Sequence, residues 1–226
     1  KELYHAHAQR LALMLQNQTE EEFADSRFQV LSELTRLRQL CCDPALVYEN
    51  YEGGSAKLDL CIELIQSAVE SGHKILLFSQ FTSMIEILTA RLQEESISCF
   101  VLQGSTKKEQ RAQMVEQFNR DDTSVFCISL KAGGTGLNLT GADIVIHYDP
   151  WWNVAVENQA TDRAHRIGQK NVVTVYKLIA KGTIEEKIIK LQQMKEELAE
   201  EILSGDEIKT ASFQREELLE LLEERF

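Results

Sequence analysis

Apolar side chains return at helical spacing through residues 1 to about 47, as in Leu11 and Leu15 and again in Phe28, Leu31 and Leu34, until Asp43-Pro44 closes the stretch. The pattern predicts two helices. Tyr48 to Ser55, with Gly53-Gly54, is a soft segment separating this hairpin from a helix that begins near Lys57. From Ser55 to Lys181 the period alternates. Short β-branched or apolar runs at Lys74–Ser79, Ser98–Leu102, Ser124–Ser129, Asp143–Tyr148 and Val172–Leu178 are interleaved with helical stretches at Lys57–Glu70, Thr82–Glu94, Lys107–Arg120 and Ala155–His165. Such alternation predicts an α/β fold, a parallel sheet with helices on both faces and right-handed crossovers. After Gly182 a long acidic helix, Ile184 to about Leu203, sets Ile188, Leu191, Met194 and Leu198 on one side. Gly205-Asp206 breaks it, and Phe213 to Phe226 forms a last amphipathic segment with Leu218, Leu219, Leu221 and Leu222. The expected organisation is a helical protrusion or linker over residues 1–50, a sheet domain over 51–182 and bracing helices over 183–226.

A chain of 226 residues with 43% hydrophobic and 27% charged side chains can bury a real core, which excludes bulk disorder. No apolar run approaches the roughly 20 residues of a membrane helix, and Lys1 to Arg10 lack a signal-peptide pattern. The expectation is a soluble, intracellular protein without a membrane partner. Cys41, Cys42, Cys61, Cys99 and Cys127 have no CxxC spacing, so they read as buried free thiols, and no metal ligands are expected. The net charge of −12 argues at first against nucleic acid. Its distribution changes that: Thr183 to Phe226 holds 13 acids and 6 bases, so −7 of the −12 is C-terminal.

In open α/β sheets ligands gather beyond the carboxyl ends of the strands. Directly after the strand ending at Ser129 runs Lys131-Ala132-Gly133-Gly134-Thr135-Gly136-Leu137-Asn138-Leu139. Its glycines let backbone amides approach a phosphate, and Thr135 and Ser129 offer hydroxyls; a glycine-rich turn without a ligand is the plain alternative. The loop is not a Walker A sequence, since no GxxxxGK followed by Ser or Thr occurs in the chain, which therefore brings no ATP phosphate cradle of its own. A second unusual stretch is Gln159-Ala160-Thr161-Asp162-Arg163-Ala164-His165-Arg166-Ile167-Gly168-Gln169. On a helix Arg163 and Arg166, three apart, leave by one face and repel each other unless an anion lies between them. The alternative is a solvated basic turn paired with Asp162 or Glu157. His147 and His165 read as structural, and Lys57 as a solvated lysine.

Five runs occur in order: Phe78-Ser79-Gln80-Phe81, Leu102-Gln103-Gly104-Ser105-Thr106, Gly133-Gly134-Thr135-Gly136-Leu137-Asn138-Leu139, Asp149-Pro150-Trp151-Trp152-Asn153 and Asp162-Arg163-Ala164-His165-Arg166-Ile167-Gly168-Gln169. The succession closely resembles the C-terminal helicase lobe of Swi/Snf-type enzymes, a branch of helicase superfamily two. Leu37-Arg38-Gln39-Leu40-Cys41-Cys42-Asp43-Pro44 resembles the segment that precedes that lobe. The resemblance covers about Leu34 to Leu203. It departs from the family at Val154, where many members have proline.

The resemblance implies a RecA-like, P-loop NTPase-like fold and half of a two-lobed, ATP-driven double-stranded DNA translocase. ATP with Mg2+ would be held mainly by an N-terminal RecA-like lobe of the same polypeptide, and the fragment alone would be inactive. Arg163 and Arg166 match the family's arginine fingers, and Gly134, Gly136, Asn138, Gln159 and Asp162 match positions lining the nucleotide. DNA phosphates would be met by Ser79, Gln80, Gly104, Ser105, Thr106, Ser129, Lys131, Gly133 and Trp151, with one of Trp151 and Trp152 a core anchor. The absence of lysine-rich tails and the compact linkers point to a bacterial enzyme, in the cytoplasm or nucleoid; a eukaryotic one would be nuclear. Two other readings stay open: a motor-derived, non-catalytic docking module, favoured by the acidic tail, and a motor acting on RNA or an RNA polymerase complex, with other DNA-bound proteins as further partners.

Overall fold

A computed structural model describes residues 1–130, 132, 137–166, 169, 171–201 and 215–222, and divides the chain into two units. Lys131, Gly133, Gly134, Thr135 and Gly136, the expected break at Gly205-Asp206 and the expected start at Phe213 lie outside the described residues.

One unit, Gly53–Ile179, is built on five parallel strands: β1 (Ile75–Ser79), β2 (Cys99–Leu102), β3 (Val125–Ser129), β4 (Ile144–His147) and β5 (Thr174–Lys177), in the order β2-β3-β1-β4-β5. β1 is central. It registers with β3 from Ile75↔Val125 to Ser79↔Ser129 and with β4 from Ile75↔Ile144 to Phe78↔His147. Every residue of β1, β3 and β4 is buried, which is why their sequences are continuous apolar runs and not alternations.

Numbering the helices from the N-terminus, this unit holds α3 (Ala56–Glu70), α4 (Thr82–Glu94), α5 (Lys108–Arg120) and α6 (Val154–Thr161). Right-handed crossovers require α4, which leads from β1 out to β2, to lie on one face, and α5 and α6, which lead the other way, on the opposite face. Packing agrees. Leu76, Phe78, Phe126, Ile128 and Val145 form one core with Phe118, Ala160 and partly buried Met114, Val115 and Val156. The intervening strand positions point to the other face, where α4 contacts β1, β2 and β3 and packs on α3. In the β3–β4 connection Leu130, Ala132, Leu137, Leu139 and Ala142 are buried in the first core. The helices that follow the neighbouring strands β1 and β4 thus lie on opposite faces, which makes the carboxyl ends of this pair the topological switch point of the sheet.

The other unit joins Lys1–Glu52 to Ala180–Phe226 and holds α1 (Glu2–Gln16), α2 (Glu20–Cys42), α7 (Ile184–Glu201) and α8 (Arg215–Leu222). Thr19 and Glu22 close a reciprocal capping box at the start of α2. Arg215 donates to Leu15 O at 3.2 Å and Gln18 O at 2.7 Å, placing a cation on the carbonyl end of α1. The buried stripe of α2 is Phe23, Val30, Leu34, Leu37 and Cys41. Phe28 and Leu31, expected on that stripe with Leu34, are 87% and 52% exposed, because the face centred on Val30, Leu34 and Leu37 leaves them to one side. On α7 Ile184, Glu185, Ile188 and Gln192 are buried, and Met194 is exposed. No helix among the described residues is long and apolar enough to cross a membrane.

Candidate functional site

At the switch point, the ends of β1 and β4 are tied together. Ser79 Oγ donates to Asp149 Oδ1 at 2.5 Å and accepts from Phe81 N–H at 3.2 Å, while Gln80 N–H points to the same carboxylate at 3.4 Å. Ser79 is fully buried, its hydroxyl engaged within the fold. Ser129 is 2% exposed, its Oγ accepting from Ala132 N–H at 3.4 Å. Gln80 differs, since its Nε2 is buried with no hydrogen-bond partner among the described residues, an orphaned donor beside the switch point. Trp151 is half-buried and packs against the sheet core. Lys57, expected to be solvated, stands over the Tyr148 ring, its Nζ 5.2 Å from the centroid.

The loop after β2 is a tight turn in which Thr106 N–H donates to Gln103 O and Thr106 Oγ1 accepts from Gln103 N–H, both at 3.1 Å. Gly104 and Ser105 are exposed on it. Arg111 of α5 holds this turn by donating to the carbonyls of Gln103, Gly104 and Thr106 at 3.3, 3.2 and 2.9 Å, and reaches Ala132 O of the next loop at 3.5 Å. Asn119, from the same helix, pins the exit of that next loop: its amide donates to Asn138 O at 2.8 Å and accepts from Gly141 N–H at 2.9 Å. A Cβ at Gly141 would stand 3.0 Å from Asn119 Oδ1 and 3.1 Å from its Cα, tighter than an ordinary contact, so a side chain there would press on Asn119. Neither Arg111 nor Asn119 carries a sequence signal, because each acts through main-chain carbonyls that no spacing rule brings near it.

α6 ends at Thr161, and Asp162, Arg163 and Ala164 form turns, with Arg163 N–H donating to Ala160 O at 3.2 Å and Ala164 N–H to Thr161 O at 3.1 Å. This corrects the expected helix to His165, and with it the idea that both arginines leave one helical face. They are nevertheless neighbours. Desolvation lowers the Arg163 guanidinium from its ordinary value most, the charge of Arg166 lowers it further, and Asp162 opposes. Arg163 is 5% exposed, its Nε has no hydrogen-bond partner, and it forms no ion pair among the described residues. Arg166, Asp162, Gln159 and Asn138 are exposed. Glu157, the other acid that might have neutralised the pair, is fully buried elsewhere, accepting from Trp151 N–H at 2.6 Å and pairing with Lys177 at 2.8 Å. Arg163 is thus a desolvated cation without an ion pair among the described residues, next to a second cation, an arrangement that a nearby anion would stabilise.

His147, at the end of β4, anchors the turn. Its Nε2 lies 3.0 Å from Thr161 Oγ1, and its ring stacks on Phe78 at 5.5 Å between centroids. Burial pushes its pKa down to about 4; Glu157 opposes and Lys177 adds to the shift. As pH falls the unfolded chain, with its histidine near 6.5, takes up a proton before the folded chain does. Stability is therefore expected to decline between pH about 6.5 and about 4, by up to about 3 kcal/mol. Urea midpoints across that range check this, and His147→Asn should flatten the slope; an equal slope in the variant would assign it to other groups.

Residues 56–168, half of the chain, match the model of the helicase conserved C-terminal domain. An ATP-dependent helicase of Mycoplasma pneumoniae is 45% identical over 202 residues, covering 88% of this chain and 19% of that protein. The human chromatin-remodeling ATPase INO80 is 43% identical over 169 residues, covering 74% of this chain and 11% of that protein. The chain thus spans about a fifth of the first relative and about a tenth of the second. Among solved structures, the Sulfolobus solfataricus SWI2/SNF2 ATPase C-terminal domain superposes with a TM-score of 0.72 at 32% identity, covering 91% of this chain and 84% of that one. The core of that ATPase in complex with double-stranded DNA gives 0.74 at 33% identity, covering 89% and 42%.

Proposed function

The chain belongs to the helicase conserved C-terminal domain family, in its SWI2/SNF2 branch of ATP-dependent helicases, and from that premise we propose that it is the second motor lobe of an ATP-driven translocase on double-stranded DNA. The observation that carries the reading is the desolvated, anion-seeking Arg163 beside exposed Arg166, in a chain without a Walker A loop. Arg163 and Arg166 would close on the γ-phosphate of ATP with Mg2+ held by a first lobe, stabilising the charge that develops in phosphoryl transfer. Gln159, Asp162, Asn138, Gly134 and Gly136 would line the same cleft.

DNA would be gripped through phosphates, without readout of sequence, by the exposed turn Gly104-Ser105-Thr106, the orphaned Gln80 amide, and Lys131 and Gly133. Trp151, packed on the core, would support that surface as much as touch the strand. Buried Ser79 and Ser129 would shape the strand ends from which that grip projects. Closing and opening of the two lobes would shift their phosphate grips relative to each other, which turns hydrolysis into steps.

The 226-residue chain alone is expected to give no ATP turnover, while the complete two-lobed protein hydrolyses ATP faster with duplex DNA than with RNA. Its DNA affinity should fall as salt rises. Turnover by the chain alone would overturn the half-site reading; a complete protein indifferent to DNA would leave a docking module in its place.

A further inference from the structure

The residue that joins the two proposed grips is Gln169. Its Nε2 donates to three main-chain carbonyls, Ala142 O at 2.7 Å, Thr140 O at 3.2 Å and Ala164 O at 3.2 Å, and its Oε1 accepts from Asn171 N–H at 2.9 Å. Three acceptors at one end and a donor at the other settle which end of the amide is nitrogen. Its own N–H donates to Arg166 O at 3.0 Å, and next to it Leu139 N–H donates to Arg163 O at 3.0 Å. One half-buried side chain therefore sits between the arginine turn and the 139–142 segment by which the β3–β4 connection leaves the glycine-rich loop. Asn119 holds the same segment from the other side, at Asn138 and Gly141.

We propose that Gln169 is a positioning residue, a latch that makes the arginine turn and the exit of the β3–β4 connection move as one body, so that engagement of DNA by the loop is transmitted to Arg163 and Arg166. The inference rests on the reading of those arginines as fingers and of that loop as a DNA grip. An amide suits the task because it presents two N–H donors to a cluster of carbonyls and an acceptor to the strand-entering backbone. Glutamate has the same shape and turns the donor end into a second acceptor, setting negative charge against three carbonyl oxygens. Its carboxyl, raised in pKa by burial and by those carbonyls, regains one O–H donor when protonated. Methionine has similar bulk and no donor at any pH.

The test compares Gln169→Glu, Gln169→Met and Arg166→Ala in the complete two-lobed enzyme, measuring turnover with and without duplex DNA, DNA affinity and melting temperature from pH 8 to pH 6. At pH 8 both Gln169 variants should lose DNA-stimulated turnover by on the order of 10–100-fold, the scale of a misplaced catalytic group. DNA affinity should stay within about threefold, since phosphate contacts are untouched. Towards pH 6, Gln169→Glu should regain activity relative to the wild type at the same pH, and Gln169→Met should not. Wild-type DNA stimulation in Gln169→Glu at pH 8 would overturn the latch. So would losses in the two variants that simply follow melting temperature, with no pH-dependent difference between them. If Arg166→Ala loses turnover while Gln169→Glu keeps it, the latch alone fails; if Arg166→Ala keeps turnover, the finger reading fails and takes the latch with it.

Discussion

Replacing Arg163 or Arg166 by alanine in the complete two-lobed enzyme is expected to lower ATP turnover by about 10³-fold or more, with affinity for duplex DNA within about threefold of the wild type. The size follows from what a guanidinium does in phosphoryl transfer, where charge spreads over the equatorial oxygens and a preorganised cation in a water-poor site acts on the transition state. Arg163 is already desolvated, and its desolvation and the proximity of Arg166 both disfavour its charge. A phosphate between the two would relieve that cost, as the proposed finger role requires. The two substitutions are not equivalent. Arg163 is 5% exposed, so its removal also empties buried space and part of its effect is structural. Arg166 is exposed, which makes it the cleaner probe. Arg163→Lys keeps the charge and loses the planar fork, so it should recover little activity. A folded Arg166→Ala enzyme with full turnover would sink the finger assignment.

Glu157→Ala is expected to destabilise the sheet unit by about 1–3 kcal/mol, the usual penalty for leaving a buried hydrogen-bonding group without its partner, since Lys177 is exposed enough for water to take up its charge. Glu157 is fully buried on α6 and ties together three pieces of chain: its own helix, the main chain at Trp151 after β4, and Lys177 at the end of β5. Its loss leaves the Trp151 N–H without its acceptor and Lys177 without its counter-ion. Glu157→Gln, which can still accept from Trp151 N–H and cannot pair with Lys177, should cost about half as much. Urea denaturation of the three proteins measures both. A Glu157→Ala cost below about 1 kcal/mol would mean that water or a relaxed Lys177 takes the carboxylate's place.

The central strands β1, β3 and β4 were legible because each is a short, continuous apolar run between helical periods, and residues buried on both faces of a sheet have no choice but to be apolar; β2 and β5 lie at the edges, and exposed β5 was legible from its β-branched and aromatic residues. All five stand within two residues of where the pattern sets them. Helix ends and helix faces were less legible. α6 stops four residues earlier than its composition suggests, because Thr161 is held by His147 and the following backbone turns to make i→i−3 bonds. Phe28 and Leu31 carry the composition of a core stripe and lie outside it, since which stripe is buried depends on the partner helices and not on the helix itself.

Local order along the chain was enough to determine the α/β class and the family motifs in sequence, and to single out the arginine pair as the candidate chemical centre, because these depend on residue type and near-neighbour spacing. The tertiary structure alone showed that Ser79 and Ser129 are buried, that Glu157 pairs with Lys177, and that Arg163 is desolvated without an ion pair among the described residues. It alone brought Arg111, Asn119 and Gln169 onto the carbonyls they hold. The physical reason is common to all of these: a hydrogen bond or a desolvated charge is defined by what lies across space from it, and main-chain carbonyls, present at every residue, leave no mark in a sequence of side chains.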